Sequence, residues 1–248
     1  MNASPLPAVL VLATAIQLAA ASFATADSVT KKIGPPVEGT ILGTKPGAIR
    51  VKVGNGETTI RLDDVQAITM DPPADLAKAS NELAAGNAQG ALDLLQRLLG
   101  NFAGLPVPWV EQAAAMLGDA RLAAGDKAGA KAAYEQFSKA YPRSTGLANI
   151  GMARLAVDAG QFEEAAKLLD PVLADSAKAV LPKPSEASAL TQAHYLMGRV
   201  RESEKDFRSA LAHYLKASAV FAFDQNTTAE AQKRANALRA EQAGLIAP

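Results

Sequence analysis

The sequence predicts a mainly α fold, an α-solenoid of stacked helix pairs, which is preceded by a small antiparallel β module. Two observations carry this prediction. Residues 37–70 alternate apolar and polar side chains with a period of two, which is typical of half-buried antiparallel strands. From residue 72 onwards the chain is rich in alanine and leucine, and a turn followed by an alanine recurs four times. We therefore place the β module at 27–71 and the helical repeats at 72–248, behind an N-terminal segment at 1–26.

The N-terminal segment has the composition of a secretory signal peptide. Residues 1–26 contain no Asp, Glu, Lys or Arg, and Ala24-Thr25-Ala26 fits a small-x-small cleavage pattern after an apolar run. We expect cleavage after Ala26 and a mature chain that starts at Asp27. Because the first residues also lack Lys and Arg, an uncleaved interfacial or buried apolar helix stays open as an alternative. No later apolar stretch is long enough to cross a membrane, so the mature chain is expected to have no integral membrane segment.

Three turn sequences divide the β module into a meander of about four strands. Gly54-Asn55-Gly56 is a strong hairpin signal, because its residues accept positive φ, and further turns lie at Lys45-Pro46-Gly47 and Asp63-Asp64. The pattern resembles the start of a small SH3-like or Sm-like barrel. Its apolar face is small for an independent domain, so we expect it to pack on the helices behind it or on a copy of itself.

The helical part contains four copies of one turn pattern, spaced by 35 to 45 residues. The second copy is the clearest: Leu117-Gly118 lies in its first helix, Gly125-Asp126 at the turn, and Ala130, Tyr134, Phe137 and Pro142 follow. These residues resemble the tetratricopeptide repeat, a unit of about 34 residues that forms a helix, a turn and a second helix. The resemblance covers about 72–245 and implies a right-handed solenoid. The four turns read Gly86-Asn87-Ala88-x-x-Ala91, Gly125-Asp126-Lys127-x-x-Ala130, Gly160-Gln161-Phe162-x-x-Ala165 and Lys205-Asp206-Phe207-x-x-Ala210.

Each repeat position has a physical role that the structure can test. Gly118 and Ala130 should let neighbouring helices approach closely, while Tyr134 and Tyr214 should fill the gaps between units. Spacings above 34 residues indicate insertions at 100–108 and 178–185, and Pro171 predicts a kink or break in the third pair. The polar segment 228–243 is expected to form the capping helix that a solenoid needs.

Composition excludes several kinds of chemistry. The chain has 25 basic and 25 acidic residues, and a nucleic-acid binder needs a basic excess to displace counterions, so no nucleic-acid partner is expected. The absence of cysteine excludes a disulfide scaffold, a Cys-ligated zinc site, a thiol nucleophile and a lipoprotein. Only two histidines are present, which disfavours a multi-histidine metal site. We therefore expect no metal and no cofactor, and an exported bacterial protein that is periplasmic or extracellular and soluble.

None of the candidate catalytic groups forms a recognisable constellation, so no enzyme activity is expected. We interpret His194 as a packing residue and His213 as a solvent-facing one. Glu163-Glu164 point about 100° apart on a helix and are interpreted as acids that complement the helix dipole. Trp109 is interpreted as an anchor of the first insertion, with a binding role as the alternative.

The repeat resemblance also implies a binding face, since the first helix of each pair lines the concave surface in that family. Intrahelical ion pairs, Arg154 with Asp158 and Arg199 with Glu202, are the alternative interpretation of its charged residues. We favour the groove, because these side chains interrupt helices that are otherwise dominated by Ala, Leu and Met. The offsets of the family select Gln112, Asp119, Arg154, Asp158, Gln192, Tyr195, Arg199 and Glu202.

The resemblance therefore implies a non-catalytic exported scaffold or adaptor that holds a protein or peptide partner in its groove, in envelope assembly or maintenance. An arginine in such a groove can clamp a carboxylate and Tyr195 can anchor beside it, so the expected ligand segment carries an acidic or C-terminal carboxylate. Two alternatives stay open: a structural oligomerisation or spacer component that self-associates through the β module, and a non-catalytic subunit of an envelope enzyme complex.

Overall fold

The computed structural model describes residues 26–176, 184–242 and 244. The predicted signal peptide therefore lies outside the described residues, except for Ala26. The described chain begins with a five-stranded antiparallel sheet, in which a 3-10 turn, Leu62–Asp64, precedes the last strand. The strands are β1 Asp27–Lys31, β2 Val37–Lys45, β3 Ala48–Val53, β4 Gly56–Arg61 and β5 Val65–Thr69.

The sheet has one strand more than the sequence predicted, and its order is not that of a simple meander. The order is β4-β3-β2-β1-β5, so that β1 lies between β2 and β5. The predicted four-strand meander is thus wrong in number and order. Strand β1 carries no visible alternation of apolar side chains, because Val29 is its only buried residue, and it was therefore not predicted. The predicted turns are confirmed, with Gly47 and Gly54 at φ 70° and 56°.

Nine α-helices follow within the described residues, and the first eight form four pairs. The helices are α1 Ala74–Ala84, α2 Ala88–Phe102, α3 Pro108–Ala123, α4 Lys127–Ala140, α5 Gly146–Asp158, α6 Phe162–Ser176, α7 Pro184–Ser203, α8 Phe207–Leu215 and α9 Gln225–Glu241. A single π turn, Lys216–Val220, extends α8.

The four recurring turns join the two helices of each pair, as predicted. The second residue after each first helix adopts a left-handed conformation, which suits glycine: Gly86, Gly125 and Gly160 have φ of 79°, 81° and 73°. The fourth turn uses Lys205 at φ 61°, the one non-glycine residue with positive φ in the described chain. In the first, second and fourth pairs the next residue, Asn87, Asp126 or Asp206, caps the second helix; the Asp126 carboxylate, for example, accepts the Gly129 N–H at 2.8 Å.

Tyrosines fill the spaces between units, and glycines make room for them. Tyr134 on α4 is 1% exposed. A Cβ on Gly118 of α3 would lie 2.3 Å from the Tyr134 ring, and a Cβ on Gly151 of α5 would lie 2.2 Å from it. Gly198 has the same relation to Tyr214, at 2.5 Å. The predicted close approach at Gly118 and the predicted gap-filling role of both tyrosines are therefore confirmed.

The first helices of successive pairs form one continuous layer. Contacts join α1 to α3, α3 to α5, α5 to α7, and α7 to α9. In the described part of the chain, successive second helices make at most marginal contacts with one another. Elements that lie closer together occupy the inner side of a curved stack, so the first helices line the inner face.

The β module shares its core with the helices, as expected. Val29, Ile41 and Ile49 belong to the same cluster of buried side chains as Leu95 of α2 and Tyr134 of α4. The backbones also meet closely: a Cβ on Gly43 would lie 2.6 Å from the Asn101 carbonyl oxygen. The Thr44 hydroxyl donates to that same oxygen at 3.2 Å.

Three further expectations concern the helix boundaries. Helix α6 runs through Pro171 to Ser176, so a break at that proline does not occur. The first insertion is a loop at 103–107, shorter than predicted. Trp109, the second residue of α3, is buried and packs edge-to-face on Phe102 with ring centroids 5.3 Å apart. The second insertion lies mostly outside the described residues, and the last helix spans Gln225–Glu241 rather than 228–243.

Across the residues that the structure describes, no helix has the length and apolar character of a membrane span.

Candidate partner-binding groove

A groove opens on the inner layer between α5, α7 and the start of α9. It encloses a pocket of about 380 Å³. Five of the eight predicted binding residues line this pocket, although the two from α5 and the three from α7 lie at least 34 residues apart in sequence. The lining consists of Arg154, Val157 and Asp158 from α5, Gln192, Tyr195, Leu196 and Arg199 from α7, and Asp224, Asn226 and Thr227 at the start of α9.

Hydrogen bonds between side chains cross the floor of the groove. Arg154 Nη2 donates to Gln192 Oε1 at 2.6 Å, and Gln192 Nε2 donates to Asp224 Oδ2 at 2.8 Å. The second oxygen of Asp224 accepts the Thr227 N–H at 3.1 Å and thereby caps α9. One line of polar contacts therefore connects three successive first helices and holds Arg154 in place.

The same line continues to the second pair through Asp119. Arg154 Nη1 lies 3.8 Å from Asp119 Oδ1, and the Tyr134 hydroxyl donates to that oxygen at 2.7 Å. Burial raises the pKa of Asp119, while Arg154 and the Tyr134 hydroxyl act in the opposite direction. Asp119 thus joins the second and third pairs and touches the pocket only through Arg154.

Glu202 belongs to a second contact of the same design. The Tyr214 hydroxyl of α8 donates to the Glu202 carboxylate at 2.6 Å, and Arg234 of α9 donates to it from Nε at 3.2 Å and from Nη2. In both contacts a tyrosine of a second helix, an acid of its own first helix and an arginine of the next first helix meet. The structure places Glu202 in this inter-unit contact, outside the pocket, and places Gln112 on an exposed part of α3.

Two charged groups in the pocket remain uncommitted. Arg199 is half-buried and Asp158 is exposed, and neither takes part in an ion pair within the described residues. Tyr195 lies beside Arg199 and packs its ring against Tyr214 at 5.9 Å. The pocket therefore offers one free cation, one free anion and a half-buried aromatic ring to a ligand.

The two histidines lie together, next to the groove. His194 is buried as predicted, but the prediction that His213 faces solvent is wrong: His213 is half-buried, and its Nδ1 lies 3.0 Å from His194 Nδ1. Burial lowers the pKa of His194 to about 3 and that of His213 to about 4. No group of three or more His, Cys, Asp or Glu side chains is placed to hold a metal ion in the part of the chain described.

Sequence reasoning missed the contribution of α9 to the groove. Asp224 caps α9 and Asn226 and Thr227 line the pocket, yet the helix was expected to start at Thr228. An aspartate three residues before Thr227 is a typical N-cap signal, and it could have located the start of this helix.

A second depression, of about 720 Å³, lies at the start of α6. It contains none of the predicted binding residues. Its walls include Lys167, whose ammonium already pairs with Glu163 at 2.8 Å. Exposed ion pairs of this kind contribute little to stability. None of the residues that line this depression is buried. We therefore take the groove between α5, α7 and α9 as the candidate site.

One comparison with known proteins, the match to a family profile, agrees with the repeat assignment. The tetratricopeptide repeat family profile matches residues 113–144, which span most of α3 and all of α4. Among curated proteins, no match was found. Similar solved structures include MamA from Desulfovibrio magneticus RS-1, from residue 41 to its end, with 17% identity and a TM-score of 0.41 over 68% of this chain and 98% of that one. Another is a Q17M variant of kinesin light chain TPR-like repeats from Podospora anserina, with 19% identity and a TM-score of 0.43 over 68% of this chain and 95% of that one.

The repeat architecture is supported by the matched segment and by the geometry of its neighbours. The profile covers most of the second helix pair, and the other three pairs repeat its turn conformation and phase. Gly118 and Gly198 hold the same place against a tyrosine in pairs two and four. Residues 113–144 therefore match the tetratricopeptide repeat family, and the described chain folds as a solenoid of similar helix pairs behind an N-terminal antiparallel β module.

Proposed function

We propose that this protein is a non-catalytic exported scaffold or adaptor, which binds a segment of a partner protein in the groove between α5, α7 and α9. Tetratricopeptide folds are typically non-catalytic protein-interaction modules. The observation that carries the proposal is the convergence of Arg154, Asp158, Gln192, Tyr195 and Arg199 on one pocket. Their offsets within the repeat alone predict these five residues for the binding face.

The chemistry of the pocket suggests the chemistry of the partner. Arg154 is already held by Gln192 and Asp119, whereas Arg199 is uncommitted and half-buried. A carboxylate of the partner segment, acidic or C-terminal, would pair with Arg199, and an arginine can receive it with two parallel hydrogen bonds. Tyr195 would supply a rigid contact surface beside it.

The proposed cellular location, outside the cytoplasmic membrane of a bacterium, is supported by the sequence. The uncharged apolar segment that ends at Ala24-Thr25-Ala26 supports export, and with the absence of cysteine it supports a role in bacterial envelope assembly or maintenance. Intact-mass measurement of the protein from the periplasmic fraction tests this step. A chain that starts at Asp27 is expected, and a mass that retains residues 1–26 would contradict it.

Site-specific photo-crosslinking in the native host tests the groove. A crosslinking amino acid at position 226, which lines the pocket without a role in binding the carboxylate, should give a discrete adduct with one envelope protein. Position 201 is the control, because Arg201 pairs with Glu204 and lies outside the pocket lining. Equal adducts from both positions, or none from position 226, would contradict a partner in this groove.

A second candidate role is self-association through the β module. Strand β4 pairs with β3 on one side only, and five of its six residues are exposed, so its other edge can accept a strand from a second copy. The molar mass in solution, measured by light scattering for the full chain and for Thr59→Pro, tests this role, because the Thr59 N–H points away from β3 towards the open edge. A dimer that Thr59→Pro abolishes would support it, and a monomer at all concentrations would exclude it.

A further inference from the structure

The two histidines of the chain, 19 residues apart in sequence, meet in the fold. Their Nδ1 atoms lie 3.0 Å apart, His194 on α7 and His213 on α8. A hydrogen bond between two imidazole nitrogens needs one donor and one acceptor. If both rings were protonated, both Nδ1 atoms would carry hydrogen and both rings would be positive. This contact can therefore exist only while at least one ring is neutral.

The histidine pair is joined to the segment that leads into α9. The His194 ring stacks on Phe221 with centroids 5.1 Å apart and planes at 16°. Thr191, one turn earlier on α7, donates to the Phe221 carbonyl and accepts the Phe223 N–H at 3.5 Å. Residue 224 comes next, and it is the aspartate that caps α9 and holds Gln192 in the groove. The position of this segment therefore sets one wall of the groove.

We propose that the His194–His213 contact is an acid-sensitive latch, which holds residues 221–224 and hence the α9 wall of the groove in place. When both rings take up a proton, the shared hydrogen bond is lost and two positive rings face each other. The stack of His194 on Phe221 then loosens, and Asp224 is no longer held against Gln192. The groove would thus be closed and ordered near neutral pH and open in acid.

The charges around the pair act in both directions. Lys216 of the π turn faces both rings and Arg201 of α7 faces His213, and each cation opposes protonation. Asp170 of α6 and Asp206 at the start of α8 face His213 and favour it. Burial is the largest effect and lowers the pKa of His194 to about 3 and of His213 to about 4, from 6.5.

The direction of the pH dependence follows from these shifts. The opened or unfolded state takes up protons near pH 6.5, whereas the closed latch does so only at about 3 to 4. Protons therefore favour the open state at every pH below 6.5. The stability of the latch is fully present above pH 6.5 and is lost as the pH falls towards 4.

Nuclear magnetic resonance on the full chain, without any partner, tests the latch. The chain has two histidines, so the two imidazole Cε1–H signals can be assigned with a single variant, His213→Asn. Both rings should stay neutral through pH 6.5 and titrate only in acid. The Thr227 amide, which Asp224 caps, should shift together with them. A histidine titration near 6.5 in the folded chain would overturn the proposal.

A matched helix cap separates the latch from ordinary carboxylate titration. The Gly129 amide is capped by Asp126 in the second pair, as Thr227 is capped by Asp224 in the last. We expect the Thr227 transition at a higher pH than the Gly129 transition in the wild type. In His213→Asn that difference should shrink, since one of the two protons cannot be taken up.

Two outcomes would contradict the latch. One is that the Thr227 and Gly129 amides have equal pH midpoints in the wild type, and the other is that the difference between their midpoints is unchanged in His213→Asn. If the variant does not fold, the wild-type comparison of the two caps decides alone. Because no partner is used, failure here leaves the proposed function standing, and failure of partner binding leaves the latch standing.

Discussion

Tyr134 shows what a single residue does in this solenoid. Its ring lies between Gly118 of its own pair and Gly151 of the next, and its hydroxyl donates to Asp119. One side chain therefore fixes both the packing distance between two units and the acid that holds Arg154. A residue larger than glycine on either side would have to displace a ring that is 1% exposed.

Gly118→Ala should destabilise the protein. Alanine favours a helix over glycine by about 1 kcal/mol, but its Cβ would lie 2.3 Å from Cε1 of Tyr134. We expect overpacking to outweigh the propensity and lower the free energy of unfolding by about 1–3 kcal/mol in chemical denaturation. Gly100→Ala is the control, since nothing lies within 4 Å of that position on α2, and it should be neutral or stabilising. Equal effects of the two changes would contradict the close packing of Tyr134.

At the scale of residues, the sequence predicted the structure best at positions where the backbone conformation strongly favours one residue type. Left-handed turns require glycine or a tolerated substitute, so the turn pattern located all four pairs, including the fourth, where Lys205 replaces glycine. His213 was misjudged because its surroundings come from α7 and the π turn, which the pattern of α8 alone does not reveal. Contacts between distant elements leave no periodic signal in either element.

At the scale of elements, α6 departs from simple helix rules. It continues through Pro171, which has no N–H to donate and leaves the carbonyl four residues earlier, that of Lys167, without its helical partner. The short strand β1 shows the opposite case: pairing on both sides keeps it in the sheet although its own pattern is weak. Tertiary context thus decides both elements against their local sequence.

Pro171→Ala should stabilise the protein. Alanine restores the missing hydrogen bond inside α6, and we expect the free energy of unfolding to rise by up to about 3 kcal/mol in urea titration. Pro108→Ala is the matched control, because Pro108 is the first residue of α3, where no intrahelical bond is lost. A loss of stability in Pro171→Ala would instead show that packing against α5 and α7 requires the proline geometry.

At the scale of the whole molecule, the sheet and the first two helix pairs share one hydrophobic core. The buried residues of the sheet belong to a single cluster with side chains of α2, α3 and α4. The repeat pattern anticipated the solenoid, since every pair carries its own signal. It could not place the start of α9 in the same groove as α5 and α7, because the groove depends on how three units stack.

The β module should not fold alone. A fragment of residues 27–71 loses the helices on which Val29, Ile41 and Ile49 are buried, and its own core is too small. We expect no cooperative thermal transition and no dispersion of amide signals, whereas the full chain gives both under the same conditions. A cooperative melt of the fragment would show that module and solenoid are independent.

The central claim is that the groove between α5, α7 and α9 binds a partner segment. Arg154 is unsuited to a first test, because its loss would also break the contacts with Gln192 and Asp119. The most direct measurement is the dissociation constant of the crosslinked partner, once purified, for the double change Tyr195→Ala, Arg199→Ala. We expect binding to weaken tenfold or more, about 1.4 kcal/mol, with the melting temperature preserved and with Arg201→Ala close to wild type. An unchanged dissociation constant in the folded double variant would contradict the account and place the site elsewhere on the molecule.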